Sequence, residues 1–448
     1  MRPLLKVLVR AKKDRDAVEA AVDTFYRRYG WEDQVAVGSI GGSRDPQEVI
    51  ERLREEARSF DGLVVFLYAR ELRELLQHEH ELPPNVALSF VDKSKVRNAR
   101  LHEIYMAIEE GKAKFRLLVF WDDARRAHAH LRGPAPRLRI PIKIFHDLYY
   151  AVGEMHRELL EEIFEIKVGA NPLIVKLEHG VHEIFQGPEP AARVMIPDIG
   201  EPRLIGELGA EPVDHDLRAC AEASRPALGL MERFARLVFE RAAEGYEYDR
   251  VIVPWSGGKD STCALVLALL HFRREDVVPI YVDTGIDFPE NLEYIDRVAR
   301  MLGVSYEVAE AEVADEIERR GLPSLEDRWC TRLKIAALYR KISELADRPL
   351  IIVGDRDSES ALRLRRPFVR EHEGFVQAAP LKVWSAALAQ LFLVDRGVPL
   401  NPLYERGFYR LGCLICPAFR SWELLVMDRL LAKGVSWGSS VGPRAPAG

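Results

Sequence analysis

The stretch Val251–Phe272, VIVPWSGGKDSTCALVLALLHF, decides the fold of the region around it. An apolar run of strand length, Arg250–Trp255, stops at two adjacent glycines. A longer apolar run of helical length follows a lysine, an aspartate and two serines. That order reads as strand, loop, helix. In an open parallel sheet, ligands sit beyond the carboxyl ends of the strands, which is where Ser256–Ser261 falls. Gly257 and Gly258 let the backbone turn tightly and bring its N–H groups near an anion, and the positive end of the following helix serves the same guest. Lys259 adds a point charge, Ser256 and Ser261 add hydroxyl donors, and Asp260 adds a carboxylate able to position Mg2+ on phosphate oxygens. The predicted guest is a phosphate chain. The spacing is not G-x-x-x-x-G-K-[ST], which sets this loop apart from those of ordinary kinases and GTPases.

Outward from the loop, strand-like and helical text alternates. VVPIYVD is followed by PENLEYIDRVARMLG, then come SYEVAEA and PLIIVGD, so residues 220–425 predict a parallel sheet flanked by helices. Upstream, LLKVLVRA, DGLVVFLYA and FRLLVFW are separated by charged periodic stretches, which predicts a small α/β domain over residues 1–123. Residues 124–219 read as three pieces. The proline-rich basic stretch DDARRAHAHLRGPAPRLRIPIK reads as a loop or linker, Phe145–Phe164 as a helical patch, and Ile166–Asp216 as a small β-rich module. Residues 426–448 form a tail whose end, VSWGSSVGPRAPAG, is expected to be disordered.

A chain of 448 residues exceeds what one core usually serves, and 48% apolar with 30% charged residues is the composition of a soluble globular protein. No apolar run is long enough for a bilayer and the start lacks a secretion signal, so a cytoplasmic protein with no membrane span is expected. The formal charge of −6 gives no global nucleic-acid signature. Two stretches, Lys93–Arg100 and Arg125–Arg139, are dense enough in basic residues to track a phosphate backbone, or to be solvated faces. Five cysteines are too few and too odd a set for a disulfide scaffold. Cys220 and Cys263 read as packed residues. His179, His182 and His215 are irregularly spaced, which predicts scattered surface histidines rather than a metal site.

Five further stretches accompany SGGKDS: YVDTGIDFPEN (Tyr281–Asn291), RWCTRLK (Arg328–Lys334), GDRDSESALR (Gly354–Arg363), PLKVW (Pro380–Trp384) and NPLYERGFYRLGCLICP (Asn401–Pro417). Together they resemble the PP-loop ATP pyrophosphatase superfamily and, within it, the phosphoadenosine-phosphosulfate (PAPS) reductase-like family, over about residues 225–420. The resemblance implies an adenine nucleotide alpha hydrolase-like core of five parallel strands that binds ATP. Ser256–Ser261 would grip the phosphates, Asp283, Thr284 and Gly285 would meet the nucleoside, and Gly354 would be a further nucleotide-binding residue. Members with an intact loop split ATP between the α and β phosphates. Lys259 and Asp260 are then the expected catalytic residues, with Arg356 and Arg363 neutralising charge in the transition state and Arg332 and Lys334 adding to the basic lining. Each arginine taken alone reads equally as a surface ion pair.

Within the family, sulfonucleotide reductases attack activated sulfate with a cysteine in a Glu-Cys-Gly-Leu-His context. Here no cysteine follows Cys416. The sulfate adenylyltransferase small subunit is similar at the loop and at VDTG, but has no need of LGCLICP. Cys330, Cys413 and Cys416 could converge on a 4Fe-4S cluster with one open iron, or on zinc with a further ligand. The alternative is a C-x-x-C pair with Cys330 merely packed. The expected function is an adenylate-forming enzyme of sulfur chemistry, a sulfurtransferase acting on RNA such as tRNA, with ATP and an unidentified sulfur donor as partners. A PAPS or APS reductase, a sulfate adenylyltransferase, and a non-catalytic nucleotide-binding protein are the alternatives.

Overall fold

A computed structural model describes residues 2–432. The stretch Val435–Gly448, expected to be disordered, lies outside the described residues. The chain divides into two compact units that alternate along it, one of residues 1–147, 220–247 and 353–388, the other of residues 148–219, 248–352 and 389–448.

The first unit opens with β1 (Leu5–Val9), α1 (Lys12–Phe25), β2 (Val35–Ser39), α2 (Pro46–Arg58), β3 (Leu63–Tyr68), β4 (Val86–Phe90) and α3 (Leu101–Leu117). The four strands pair in parallel in the order β2-β1-β3-β4. All six residues of β3 are buried, as befits an unbroken apolar run covered on both faces. Asp45 starts α2 by accepting the Glu48 N–H, with Pro46 at the first helical position.

Next come β5 (Val119–Asp122) and β6 (Ala127–His130), which form an antiparallel hairpin. A linker was expected over β6. Arg125 and Arg126 sit at the turn, where the Asp122 carboxylate accepts the Arg125 N–H, and all four β6 residues, His128 and His130 among them, are buried.

β7 (Asp147–Tyr150), α4 (Glu154–Phe164), β8 (Leu173–Lys176), β9 (Val181–Gln186), β10 (Glu189–Met195) and β11 (Arg203–Glu207) follow. They build a five-stranded sheet in the order β11-β10-β9-β8-β7, antiparallel from β8 to β11. The predicted helix Phe145–Phe164 is therefore a strand and a shorter helix, because Asp147–Tyr150 is buried at every residue, as a strand inside a sheet is, and Gly153 separates the two. His182 and His215 are buried rather than on the surface, and a ring nitrogen of His215 accepts the Gly187 N–H at 3.1 Å.

α5 (Leu217–Ala223) and α6 (Arg225–Ala243) lead on, and α6 buries Leu228, Met231, Phe234, Ala235 and Val238 along one helical stripe. The second unit then continues with β12 (Arg250–Pro254), α7 (Lys259–His271), β13 (Val277–Asp283), α8 (Pro289–Leu302), β14 (Glu307–Glu310), α9 (Val313–Arg320), α10 (Trp329–Leu345) and β15 (Pro349–Ile352). These strands pair in parallel in the order β14-β13-β12-β15.

In the first unit follow α11 (Ala361–Arg365) and the antiparallel hairpin of β16 (Val369–His372) and β17 (Phe375–Ala378). The described chain closes with α12 (Ala386–Asp395), α13 (Pro402–Glu405) and α14 (Ser421–Ala432). Among the described residues, no helix is long and apolar enough to cross a membrane.

Candidate functional site

The loop between β12 and α7 is built from both ends. Val251–Val253 are fully buried, and Trp255 packs inward with its indole N–H donating to Thr262 Oγ1 at 3.0 Å, so both flanks of the turn are anchored. Gly257 takes φ +75°, and a Cβ there would stand 2.3 Å from Asn291 Oδ1. Gly258, which caps α7, has φ −74° and ψ 154°, and a Cβ there would meet only ordinary contacts, Ser256 Oγ at 3.5 Å and Tyr404 OH at 3.6 Å. Ser261 Oγ accepts the Ser256 N–H at 3.2 Å and donates to Gly258 O at 3.0 Å, which closes the turn on itself.

Residues distant in sequence hold this loop from outside. Asn291 Nδ2 donates to Ser256 O at 3.2 Å, and Asn401 Nδ2 donates to Gly257 O at 3.1 Å and to Asn291 Oδ1 at 2.8 Å. Tyr404 OH accepts the Lys259 N–H at 3.0 Å. The Lys259 ammonium is buried, ion-paired to Asp260 at 3.1 Å, and lies 5.5 Å from the Tyr404 ring centroid and 5.8 Å from that of Tyr409. Asn291, Asn401, Tyr404 and Tyr409 all lie within the motifs that carry the family resemblance, yet, with one exception, nothing local in the sequence gives these side chains a role. The one local signal was Asn401 ahead of Pro402, the pattern of a helix cap.

The loop after β13 lies at the same carboxyl edge of the parallel sheet. Asp283 Oδ1 accepts the Gly285 N–H at 2.8 Å, and buried Thr284 donates from its hydroxyl to Asp287 Oδ2 at 2.7 Å. The C-x-x-C turn docks here, with the Leu414 N–H donating to Ile286 O at 3.0 Å and the Cys416 N–H to Cys413 O at 3.0 Å. The two thiols hydrogen-bond each other, which pushes Cys413 up and brings Cys416 down to about 6, helped by the Ala418 amide, Lys334 and Arg410 against the opposing effect of burial.

Cys330 is buried in the first turn of α10. Among the described residues, no three His, Cys, Asp or Glu side chains are grouped so as to hold a metal ion. The expected iron-sulfur or zinc site does not fit this geometry, because Cys330 does not join Cys413 and Cys416; the pair stands as two hydrogen-bonded thiols.

Arg356, Arg363 and Gly354 belong to the first unit. Arg356 is 2% exposed and donates to Asp147 Oδ2 at 2.6 Å and Ser358 Oγ at 3.1 Å. Arg363 pairs with Asp355 at 3.3 Å and with Glu359. Both guanidinium groups are thus committed to carboxylates, while Gly354 is half-buried just after β15. Arg332 pairs with Asp327 at 2.8 Å on the surface. Much of the charge in the two basic stretches is engaged as well. Lys93 pairs with Glu103, Arg97 with Asp14, Arg125 with Asp122 and Arg137 with Glu79, and Arg132 donates to the Leu82 and Pro83 carbonyls.

A glycine-lysine loop at the head of a buried helix, with a second loop beside it at the edge of a parallel sheet, defines a PP-loop α/β protein. The chain belongs to the phosphoadenosine phosphosulfate reductase family, whose domain matches residues 250–419. It is 30% identical over 146 residues to an adenosine 5'-phosphosulfate reductase of Rhizobium tropici, covering 30% of this chain and 79% of that one. An uncharacterized protein of Methanocaldococcus jannaschii is 31% identical over 208 residues, 44% of this chain. The match spans 43% of that relative's own length. A sulfate adenylyltransferase subunit 2 of Streptomyces lavendulae is 35% identical over 143 residues, 32% of this chain and 44% of that one.

Proposed function

We propose that the chain binds ATP at Ser256–Ser261 and cleaves it between the α and β phosphates in a reaction of sulfur chemistry. An acceptor oxygen attacks the α-phosphorus, the bond to the bridging oxygen breaks, and pyrophosphate leaves. A sulfur nucleophile carried at the Cys413–Cys416 turn then displaces AMP from the acceptor. The observation that carries this reading is Gly258. The fold there asks for no glycine, since its φ is ordinary and a Cβ would have room, so the missing side chain answers to something that approaches the backbone from outside. A phosphate at the head of α7 is such a guest. Asp260 and Ser261 offer the hard oxygen donors that magnesium on that phosphate prefers.

A second reading is reduction of adenylyl sulfate, favoured by the name of the Rhizobium relative and by the paired thiols. Two thiols would give two electrons to the sulfate sulfur, sulfite and AMP would leave, and a disulfide would remain. The test is calorimetry with magnesium-ATP on the full chain and on Lys259→Ala, followed by AMP and pyrophosphate release. We expect binding by the wild type and at least a tenfold loss in the variant, as befits removal of a charge-assisted contact. Equal affinity in both would overturn the ATP reading. Sulfite release from adenosine 5'-phosphosulfate in the presence of a thiol reductant, without ATP binding, would favour the second reading.

A further inference from the structure

The strand β11, Arg203–Glu207, is one edge of the five-stranded sheet, and among the described residues it pairs with β10 alone. Its outer edge carries a row of backbone N–H and C=O groups with no strand beside them, which is a template for pairing with another chain. Arg203, Ile205 and Glu207 are exposed while Leu204 and Gly206 are half-buried, the alternation of a strand with one face to solvent. Ile205 is 48% exposed, and Leu208, just beyond the strand, is 47% exposed. The register with β10 shifts between Arg193 and Val194, so Ile205 stands opposite no residue of that strand. A five-residue edge with a bulge holds a chance strand poorly, so a partner has to be selected by its side chains.

About its centre, the strand is complementary to its own antiparallel copy. With Ile205 opposite Ile205, Arg203 of each copy faces Glu207 of the other, and Leu204 of each faces Gly206 of the other. Among the described residues, neither Arg203 nor Glu207 has an ion-pair partner. They stand about 13 Å apart along the extended strand, too far to pair with each other. Gly206 is equally unexplained by the single chain, since its φ is not in the left-handed region and a Cβ there would meet nothing within 4 Å. A glycine inside a strand marks the close approach of another chain. Leu204 of a second copy fills the space that Gly206 leaves open.

We propose that β11 is a dimerisation edge, pairing antiparallel with β11 of a second copy about a twofold axis at Ile205. The interface is self-complementary, as a twofold contact requires. Its two Arg203–Glu207 cross-strand pairs fix the register, and the two Ile205 side chains meet between them.

The experiment is sedimentation equilibrium of the full chain over a dilution series, on the wild type, Arg203→Glu, Glu207→Arg, an equimolar mixture of these two variants, and Ile205→Lys. Thermal melts check that each variant folds. The wild type should be a dimer. Each charge reversal sets like charges opposite each other at both ends of the paired strands and should weaken the dimer about tenfold or more. Ile205→Lys sets two ammonium groups at the axis and should weaken it as well. The mixture brings a strand with two acidic ends against one with two basic ends, so a heterodimer should form at least as tightly as the wild-type dimer. A wild type that stays monomeric at every concentration would overturn the proposal. A dimer that survives both reversals would put the contact on another face of the chain and overturn it too. Two monomeric variants that remain apart when mixed would refute the pairing of Arg203 with Glu207.

Discussion

Gly257 and Gly258 are neighbours under different constraints. Gly257 stands at φ +75°, and its missing Cβ makes room for Asn291 Oδ1, so its demand is internal to the fold. Gly257→Ala should lose about 1–2 kcal/mol from the left-handed backbone alone, read as a lower urea midpoint. Gly258 meets neither constraint. Gly258→Ala should keep its stability within about 0.5 kcal/mol, the range of an unstrained substitution. Its affinity for ATP should nevertheless fall by about tenfold or more, because the methyl group would occupy the face the phosphate approaches. A Gly258→Ala protein that is unstable yet binds ATP normally would return this glycine to the fold. The sequence made the pair legible as a loop but could not divide the two roles, since that depends on where Asn291 and Tyr404 arrive in space.

Between elements, Asn401 ties the loop both to α13 and to Asn291. Its Oδ1 accepts the Leu403 N–H at 3.0 Å as the cap of α13, while its Nδ2 donates both to Gly257 O and to Asn291 Oδ1. Asn401→Asp keeps the shape and the cap but replaces a donor that serves two oxygens by a third oxygen. Stability should fall by about 1–3 kcal/mol, the cost of leaving buried polar groups unsatisfied. Hydrogen exchange at the loop amides should quicken, and unchanged exchange would deny Asn401 its hold on the loop.

The four parallel strands and α7 were readable because each is a contiguous run with its own period, and β12 was legible down to the turn after Trp255. β6 and β7 were not, because His128 and His130 on the one and Asp147 on the other are polar residues that a local pattern assigns to the surface, yet all three are buried, Asp147 against Arg356 from far along the chain. Asn401 acts 144 positions away from Gly257, so its role was equally out of reach. The separation of Cys330 from the C-x-x-C turn is of the same kind.

At the scale of the whole molecule, the first unit is assembled from three separate chain segments, and buried charge links two of them. Lys112 on α3 and Lys382, ahead of α12, both pair with Asp357, at 3.1 Å and 2.5 Å, and all three side chains are fully buried. Trp31 lies beneath both ammonium groups, at 4.9 Å and 5.8 Å, and its indole N–H donates to Arg365 O at 2.8 Å. Charged residues are read from sequence as surface, so this core was invisible there and the segment Gly354–Arg363 was read for phosphate chemistry instead.

Burial works to raise the pKa of Asp357, but Lys112, Lys382 and Arg116 outweigh it and hold the carboxyl below its usual range. A carboxylate lowered on folding contributes stability that is full above its unfolded value, near ~3.9, and is lost as pH falls through the lower folded value. Asp357→Asn leaves two buried lysines without their shared counter-ion and should cost about 3 kcal/mol at pH 7, measured by urea unfolding. The gap between the variant and the wild type should narrow as pH drops below ~3.9, because the wild-type carboxylate is then protonated on unfolding and, lower still, in the fold. A variant within 1 kcal/mol of the wild type at pH 7 would mean that the lysines find other partners and that the segments are joined by apolar packing alone.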